Sequence, residues 1–425
     1  DYHSHDDGET FDTLQRPSSF DSKRLAIRYA EDGGIEKDGL VEIRRGCKDL
    51  DLGGSSYAQV RIMVDGTHYI KGMAVYSDDL PKGVDIMFNT NKTKDKAKMD
   101  VLKPIKEDPD NPFGALIKAG GQSYYIDSNG KKQLSPINKT REEGDWNEWS
   151  DKLSAQFLSK QSYKLIKQQL NLTAADKQAE FDEIMSLTNP TVKKALLKSF
   201  ADDCDSSATH LKAAALPGQK YQVILPVPSM KDTEVYAPNF ENGTKLALVR
   251  FPHGGIFEIP ILTVNNKQKD AAKMVGKNPL DAVCINSKVA ERLSGADFDG
   301  DTVLAIPTGK GVNIVNKPPL KELEGFDPKM SYPEVPGMKY MKTKISPTKT
   351  VDNTQNEMGK ISNLITDMTL LGASDAELAR AVKHSMVVID AAKHKLNYKQ
   401  SEIDNGIKEL KRRYQGKIDE NGKYS

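Results

Sequence analysis

The sequence predicts an α+β fold in which two β-rich regions are joined by a helical connector and followed by a C-terminal helical region. Short apolar runs separated by Gly, Asp and Pro dominate residues 21–105 and 217–307, a pattern typical of strands in a small barrel or sandwich. Apolar residues recur at helical spacing between 145 and 215 and again after 351. A chain of 425 residues is long enough for two or three domains with their own cores.

Composition indicates an ordinary globular protein, with 28% charged and 37% hydrophobic residues. The net charge of +1 gives no overall sign of nucleic-acid binding, although local basic strips would suffice for it. Three widely spaced cysteines, Cys47, Cys204 and Cys284, form neither a disulfide framework nor a CxxC zinc pair, so we expect reduced thiols and an intracellular, cytoplasmic protein. No apolar run reaches membrane-spanning length, and no signal peptide is visible. The chain starts with Asp1 rather than Met, as a fragment would.

Residues 1–20 are polar and expected to be loose, and residues 21–140 are assigned to the first β domain. The strands predicted there are Leu25–Tyr29, Leu40–Ile43, Gln59–Val64, Met73–Tyr76 and Val84–Phe88. A lysine-rich strip follows them and is interpreted as a solubilising loop; it contains Lys94, Lys96, Lys98, Lys103 and Lys106.

Residues 141–216 are assigned to a helical connector. The first apolar face predicted in it consists of Leu153, Phe157, Leu165 and Ile166. A polar start at 173–176 predicts a second helix, and Asn189-Pro190 predicts a break before a third. Trp146 and Trp149 are interpreted as packing residues rather than a base-stacking platform.

Residues 217–308 are assigned to the second β domain. Short helices are expected between its strands, at Ala271–Val275 and Lys288–Leu293. The predicted strands are Tyr221–Val227, Leu246–Phe251, Ile256–Val264, Ala282–Asn286 and Val303–Ile306.

Residues 309–350 are rich in proline and lysine and are expected to form a solvated linker, or alternatively a strip that contacts a nucleic-acid backbone. Residues 351–425 are predicted to be helical, with capping boxes at Thr354-x-x-Glu357 and Ser374-x-x-Glu377. The predicted apolar faces are Ile361, Leu364, Ile365, Met368 and Leu371; Leu378, Val382, Met386 and Ile389; and Ile403, Ile407 and Leu410. His384 and His394 are interpreted as surface residues.

The second β domain ends with an unusual acidic motif. Asp297, Asp299 and Asp301 alternate with Phe298 and Gly300, and an apolar run follows directly. Carboxylates placed this close repel one another, and a hard divalent cation such as Mg²⁺ with oxygen ligands would relieve that repulsion. Gly300 allows the sharp bend that brings alternate side chains to one point.

Three other interpretations were weighed against a magnesium site. A solvated acidic turn is common, but the apolar run after the motif indicates a buried strand abutting it. An EF-hand loop fails because its glycine and glutamate positions hold Thr302 and Thr308. A DxD-type glycosyltransferase site needs two acids and leaves the third unexplained.

The motif Ala296-Asp297-Phe298-Asp299-Gly300-Asp301 resembles the ADFDGD signature of multisubunit RNA polymerases, whose aspartates bind Mg²⁺ in a double-psi β-barrel. Upstream, Leu248-Val249-Arg250-Phe251-Pro252 is similar to the arginine–x–proline segment of the same barrel. The resemblance implies that Arg250 faces nucleotide or RNA. For His253, which follows in the loop, a residue without a chemical role is the favoured interpretation.

Weaker matches point to the single-chain RNA polymerases of the RNA-silencing and phage types. Gly72-Met73-Ala74-Val75, with Pro81-Lys82-Gly83 and Asp85-Ile86, resembles their first barrel, and Arg16-Pro17-Ser18 resembles its entry. Lysines of that barrel face the nucleotide phosphates in this family, and Lys71, Lys82 and Lys92 are the candidates here. Asn353–Leu371 matches the family's bridge helix in chain order.

The resemblance implies two double-psi β-barrels and template-directed RNA synthesis by two-metal chemistry. Asp297, Asp299 and Asp301 would hold one Mg²⁺, and a second would arrive with the nucleoside triphosphate. The expected partners are nucleoside triphosphates, a DNA or RNA template and the RNA product, without a membrane; a phage enzyme would act in an infected bacterial cell. The alternatives are a metal-dependent sugar-nucleotide transferase and a non-catalytic barrel scaffold or regulator.

Overall fold

The computed structural model describes residues 2–4, 11–13, 18–107, 112–113, 120–146, 152–154, 163–212, 218–250, 259–293, 295–309, 314 and 320–416. It is a mixed α+β structure with several sheets, which confirms the predicted class. Within the described residues, no helix combines the length and apolar character needed to cross a membrane.

The described strands are β1 Tyr2–Ser4, β2 Phe11–Thr13, β3 Leu25–Arg28, β4 Leu40–Arg44, β5 Tyr57–Val64, β6 His68–Ser77, β7 Ile86–Asn89, β8 Lys103–Pro104, β9 Gln122–Ile126, β10 Lys132–Glu142, β11 Lys152–Ser154, β12 His210–Lys212, β13 Lys220–Pro226, β14 Glu234–Val235, β15 Lys245–Arg250, β16 Ile261–Val264, β17 Ala282–Ile285, β18 Thr302–Pro307, β19 Lys342–Ser346 and β20 Lys349–Asp352. The described α-helices are α1 Lys98–Val101, α2 Tyr163–Met185, α3 Pro190–Thr209, α4 Lys269–Val275, α5 Ser287–Arg292, α6 Pro328–Ser331, α7 Thr354–Leu370, α8 Asp375–His394, α9 Tyr398–Asp404 and α10 Ile407–Gln415.

The first large sheet has the strand order β3-β7-β4-β6-β5-β10-β9, with β8 added beside β6. Its β3–β7 and β4–β6 pairs are parallel, and the long β5–β6 pair is an antiparallel hairpin. Phe20 also joins the end of β5, because its backbone N–H donates to the Met63 carbonyl. One face of the sheet is apolar and buries residues such as Val41, Val60 and Ile62.

The second sheet has the order β14-β16-β15-β18-β13-β17. Its two edges meet, because Tyr236, just after β14, exchanges two backbone hydrogen bonds of 3.0 Å with Cys284 of β17. The strand after the aspartates, β18, lies antiparallel between β15 and β13. It contributes Val303 and Ala305 to the buried core.

The two sheets share an apolar interface in which Tyr57 and Met73 of the first pack with Val223 and Leu225 of the second. A buried carboxylate fixes the contact. Asp281 accepts hydrogen bonds from the Tyr57 hydroxyl and, over 2.9 Å, from the Trp146 backbone N–H. The two sheets are therefore locked together by specific polar bonds as well as by apolar burial.

The helical region after residue 353 packs α7 against α8, and α3 of the connector lies along α7. Ser374 and Glu377 form the predicted capping box at the start of α8. The other predicted box is wrong, because Thr354 is already the first residue of α7 and donates to the Asp352 carboxylate. Of the predicted apolar faces, Leu371 and Ile403 are exposed, while the other positions of the three faces are largely buried.

His384 corrects a sequence interpretation. Predicted as a surface residue, it is only 4% exposed, and its Nδ1 lies 3.0 Å from the Ser401 hydroxyl. Burial lowers its pKa to about 4, so the ring is neutral near pH 7.

The connector also differs from expectation. Leu153 belongs to strand β11, which pairs with β12, and α2 continues through 173–176 where a new helix was predicted. Pro190 does begin α3, as expected. In the segment 1–20, β1 and β2 pair with each other. Trp146 is fully buried, as predicted for a packing residue, while Trp149 and Phe157 lie outside the described residues.

Candidate metal centre

The three aspartates lie in the turn between α5 and β18. Phe298 is buried in the core of the second sheet and holds the turn against that core. Gly300 has a φ of +123°, a conformation that side-chain-bearing residues rarely adopt, and a Cβ there would lie 2.3 Å from Gln59 Nε2. The glycine therefore supplies both the bend and the space for the first sheet to approach.

Asp297, Asp299 and Asp301 each offer a carboxylate oxygen, and these oxygens all lie within 4.8 Å of one another. All three residues are partly buried. A divalent cation of the Mg²⁺ type fits such a set, because it prefers hard oxygen ligands and would neutralise the mutual repulsion. The acidic triad can thus hold a metal ion.

In the protein alone, the triad keeps a proton. Burial, a hydrogen bond with Asp299 and the charge of Asp301 raise the pKa of Asp297 to about 9. Burial also acts on Asp299, but its hydrogen bond with Asp297 and the charge of Lys71 outweigh it and lower the Asp299 pKa. The pair therefore shares one proton at neutral pH, and a bound cation would displace it.

The first sheet reaches the triad directly. Lys71 Nζ, on β6, lies 3.2 Å from Asp299 Oδ2. Gln59 Nε2, on β5, donates to the Asp299 carbonyl over 3.1 Å, and the Phe298 N–H donates to the Asp38 carbonyl over 2.8 Å. These bonds hold the acidic turn of one sheet against the basic face of the other.

Arg250 lies beside the acids, and its predicted contact with nucleotide or RNA stays a prediction. It ends β15, next to β18, and its Nη2 lies 2.8 Å from Asp301 Oδ2. Phe251, Pro252 and His253, which follow it in the predicted motif, lie outside the described residues.

The other two candidate lysines do not contact the triad in the described structure. Lys82 is exposed in the turn before β7. Lys92 donates from Nζ to the Asp100 carbonyl over 3.0 Å. Of the three lysines predicted at the site, only Lys71 is placed against an aspartate.

Asp38 is a fourth carboxylate that the sequence analysis missed. Burial and the nearby charge of Asp299 raise its pKa to about 6, although the Asn91 N–H donates to it over 3.1 Å. The neighbouring Gly39 lies so close to the turn that a Cβ would come within 2.7 Å of Asp299 N. An Asp-Gly pair just before a predicted strand is the only sequence signal for this residue, and such pairs are common in turns.

A polar row also runs across the face of the first sheet beside the triad. In register, Lys71 of β6 is opposite Arg61 of β5, and Arg61 is opposite Asn138 of β10. Arg61 is 9% exposed and Asn138 is 1% exposed, and within the part of the chain that the structure describes neither Arg61 Nε nor either amide atom of Asn138 has a hydrogen-bond partner. Buried polar atoms normally have partners, so a polar ligand at this row would account for these three.

Lys103 extends the basic surface. Strand β8 places it opposite Tyr69, two residues before Lys71 on β6. Burial and the charges of Lys71 and Lys393 lower the pKa of Lys103. Lys393 is in the last turn of α8, so this turn lies close enough to Lys103 for their charges to interact. Lys103 is therefore part of strand β8 and not of the solubilising loop that its sequence predicts.

No family model matches this chain, and no curated protein shows a significant match to it. Function must therefore be inferred from the motif and from the geometry of the acidic triad and the polar row.

Proposed function

We propose that this chain is a template-directed RNA polymerase of the two-barrel type, a nucleotidyltransferase that extends RNA 3′ ends with Mg²⁺. The observation that carries the proposal is the Lys71–Asp299 contact, in which the acidic triad beside one sheet meets the polar row of the other sheet. Nucleotidyl transfer needs both kinds of group: carboxylates to hold the metal ions, and positively charged side chains to neutralise the phosphates.

The proposed fold is a pair of double-psi β-barrels. Six strands in the second sheet, with edges joined through Tyr236 and Cys284, support it for the domain with the aspartates. Parallel pairs, the β5–β6 hairpin and the Phe20 pairing support a related barrel in the first sheet. Helix α7 takes the place proposed for the bridge helix.

In this proposal Asp297, Asp299 and Asp301 hold the resident Mg²⁺, which would activate the RNA 3′ hydroxyl and stabilise charge on the phosphate. Asp38, whose charge interacts with Asp297 and Asp299, is a further carboxylate that could help to hold a second ion arriving with the nucleotide. Arg250 orients Asp301 through its 2.8 Å ion pair, and its Nη1 also donates to the Leu293 carbonyl over 3.4 Å, so its charge stays beside the metal ligands.

The polar row of Lys71, Arg61 and Asn138 would bind the triphosphate. Lys71 supplies a mobile point charge, and Arg61 supplies a planar donor with its Nε unpartnered. Asn138 offers one acceptor and two donors, which suit the polar atoms of a nucleotide. Binding would restore the hydrogen bonds that these buried atoms lack in the protein alone.

A non-catalytic scaffold is the second candidate, and one observation favours it. Lys71 and Arg250 already pair with two of the three aspartates, so the acidic triad is partly neutralised without a metal. A sugar-nucleotide transferase stays an alternative without a specific structural feature in its favour.

Primer extension with labelled ribonucleotides, on DNA and RNA templates side by side, tests the proposal. The wild-type chain should extend a primer with Mg²⁺, and Asp299→Asn should reduce extension at least about 100-fold, since changing even the outer-shell partners of metal ligands costs about 10–100-fold. Asp232→Asn, at an exposed position of the second domain, is the matched control and should keep full activity. No extension by the wild type on either template would favour the scaffold, and transfer from a nucleotide sugar would favour the third candidate.

A further inference from the structure

The strands β19 and β20 form a two-stranded ribbon between the second sheet and α7, and each pairs with no other described strand. Most side chains on both of its faces are exposed, and Ile345 near the tip is 63% exposed. An isolated two-stranded ribbon is marginally stable in water and normally needs a packed face. This ribbon has none among the described residues, which suggests that its faces serve a partner.

The base of the ribbon is firmly attached. Met341, just before β19, is buried among Val387, Val388 and Ala391 of α8. The Asn353 N–H, just after β20, donates to the Met341 carbonyl over 3.1 Å. The ribbon therefore projects from a fixed root rather than from a loose linker, which corrects the expectation of a plain solvated loop at 309–350.

Positive charge lies on both faces of the ribbon. The register places Lys342 and Lys344 on one face and Lys349 on the other. Among the described residues, no carboxylate lies within 4.0 Å of the nitrogen of any of these lysines, although the charge of Lys342 contributes to lowering the pKa of Asp352 opposite it. The one acid on the strands, Asp352, is opposite Lys342 and accepts hydrogen bonds from Thr354 at the start of α7.

The root of the ribbon is connected to the polar row at the acidic triad. Ala391 of α8 packs against Met341, and Lys393, two residues later, lies near Lys103 of β8. Lys103 is in turn beside Lys71, which contacts Asp299. The charges of Lys103 and Lys393 thus lie between the acidic triad and helix α8, the helix on which the base of the ribbon packs.

We propose that the β19–β20 ribbon binds the sugar-phosphate backbone of the template–product duplex. This inference rests on the proposed polymerase function. Lysines contribute affinity through phosphate contacts and counterion release. The template–product duplex is A-form, and its wide, shallow minor groove leaves both backbones accessible to lysines on the two faces of the ribbon.

Salt-dependent binding tests this role. Fluorescence anisotropy would follow a labelled RNA–DNA hybrid and an RNA duplex of equal length, in Mg²⁺-free buffer between about 50 and 300 mM salt. The variant combines Lys342→Gln, Lys344→Gln and Lys349→Gln. Each lost phosphate contact lowers the slope of log affinity against log salt by about 0.9, so the variant should lose about 2–3 units of slope and bind more weakly.

The matched control combines Lys231→Gln, Lys267→Gln and Lys277→Gln, which removes the same charge from exposed positions of the second domain. It should bind with the wild-type slope. An unchanged slope in the ribbon variant, or no binding of either duplex by the wild type, would overturn the ribbon inference. A reduced slope together with no ribonucleotide incorporation by the wild type would support the ribbon contact and contradict the proposed polymerase function instead.

Discussion

Magnesium binding to the acidic triad should release a proton, and this is the sharpest quantitative consequence of its geometry. Burial and the neighbouring carboxylates raise the pKa of Asp297 to about 9. At pH 7 the group is then almost fully protonated, whereas a carboxylate that ligates a metal must be ionised. Each bound ion should therefore release about one proton at pH 7 and about half a proton at pH 9.

The same competition sets the pH dependence of affinity. Proton release makes the apparent association constant rise with pH, by up to about tenfold per pH unit below the pKa of Asp297 and less steeply near that pKa. Titration calorimetry at pH 7, in two buffers of different ionisation enthalpy, measures the released proton directly. Asp297→Asn is the comparison variant: it should bind Mg²⁺ more weakly and with no proton release.

A flat affinity between pH 7 and 9, with no buffer dependence of the measured heat, would refute this reasoning. It would mean that Asp297 is already ionised in the protein alone, so that Lys71 and Arg250 compensate the triad more fully than its burial indicates.

Three further predictions concern residues around the site and in the core. Lys71→Ala should raise Mg²⁺ affinity severalfold by removing a competing cation, yet reduce ribonucleotide incorporation at least tenfold. Calorimetry measures the affinity and primer extension measures the incorporation. Equal losses in both measurements would contradict this prediction. Tyr57→Phe should cost about 1–3 kcal/mol in urea unfolding, because buried Asp281 loses a donor; an unchanged midpoint would contradict this. Because the folded pKa of His384 is depressed to about 4, its contribution to stability should be complete above about pH 7.5 and fall by about 2.5 kcal/mol by about pH 4.5. His384→Gln should remove that acid sensitivity, and the same acid profile in the variant would rule His384 out as its source.

The second β domain was predictable because its strands are continuous apolar runs. The stretches at 221–227, 246–251, 282–286 and 303–306 match β13, β15, β17 and β18 to within about two residues. A run of this kind directly after three aspartates also predicted that the acidic turn abuts a buried strand, which β18 confirms.

Strand β10 shows where the pattern gives no warning. Its sequence around Ser135-Pro136-Ile137 contains a proline and few apolar residues, so neither alternation nor β-branched enrichment marks it. Yet β10 is the strand that places Asn138 beside Arg61. A polar face turned toward a site loses the hydrophobic alternation that reveals ordinary strands.

Asp38 and Arg61 were missed for a different reason. They lie more than 200 residues before the aspartates in the sequence, and only the docking of the two sheets brings them to the turn. Without a motif at their own positions, local spacing cannot distinguish them from solvated charges. Arg250 was predicted because the resemblance of its motif supplied this long-range information, and Lys71 was one of three lysines between which spacing could not choose.

Template-directed choice of nucleotide is the most direct test of the central claim that the acidic triad and the polar row form one polymerase site. Single-nucleotide incorporation would be measured on four primer–template duplexes that differ only in the first unpaired template base, with Mg²⁺ and each ribonucleotide supplied separately. The account predicts that each template base selects its complementary ribonucleotide and that Asp299→Asn abolishes all four reactions. Incorporation that ignores the template base, or that survives in Asp299→Asn, would contradict it.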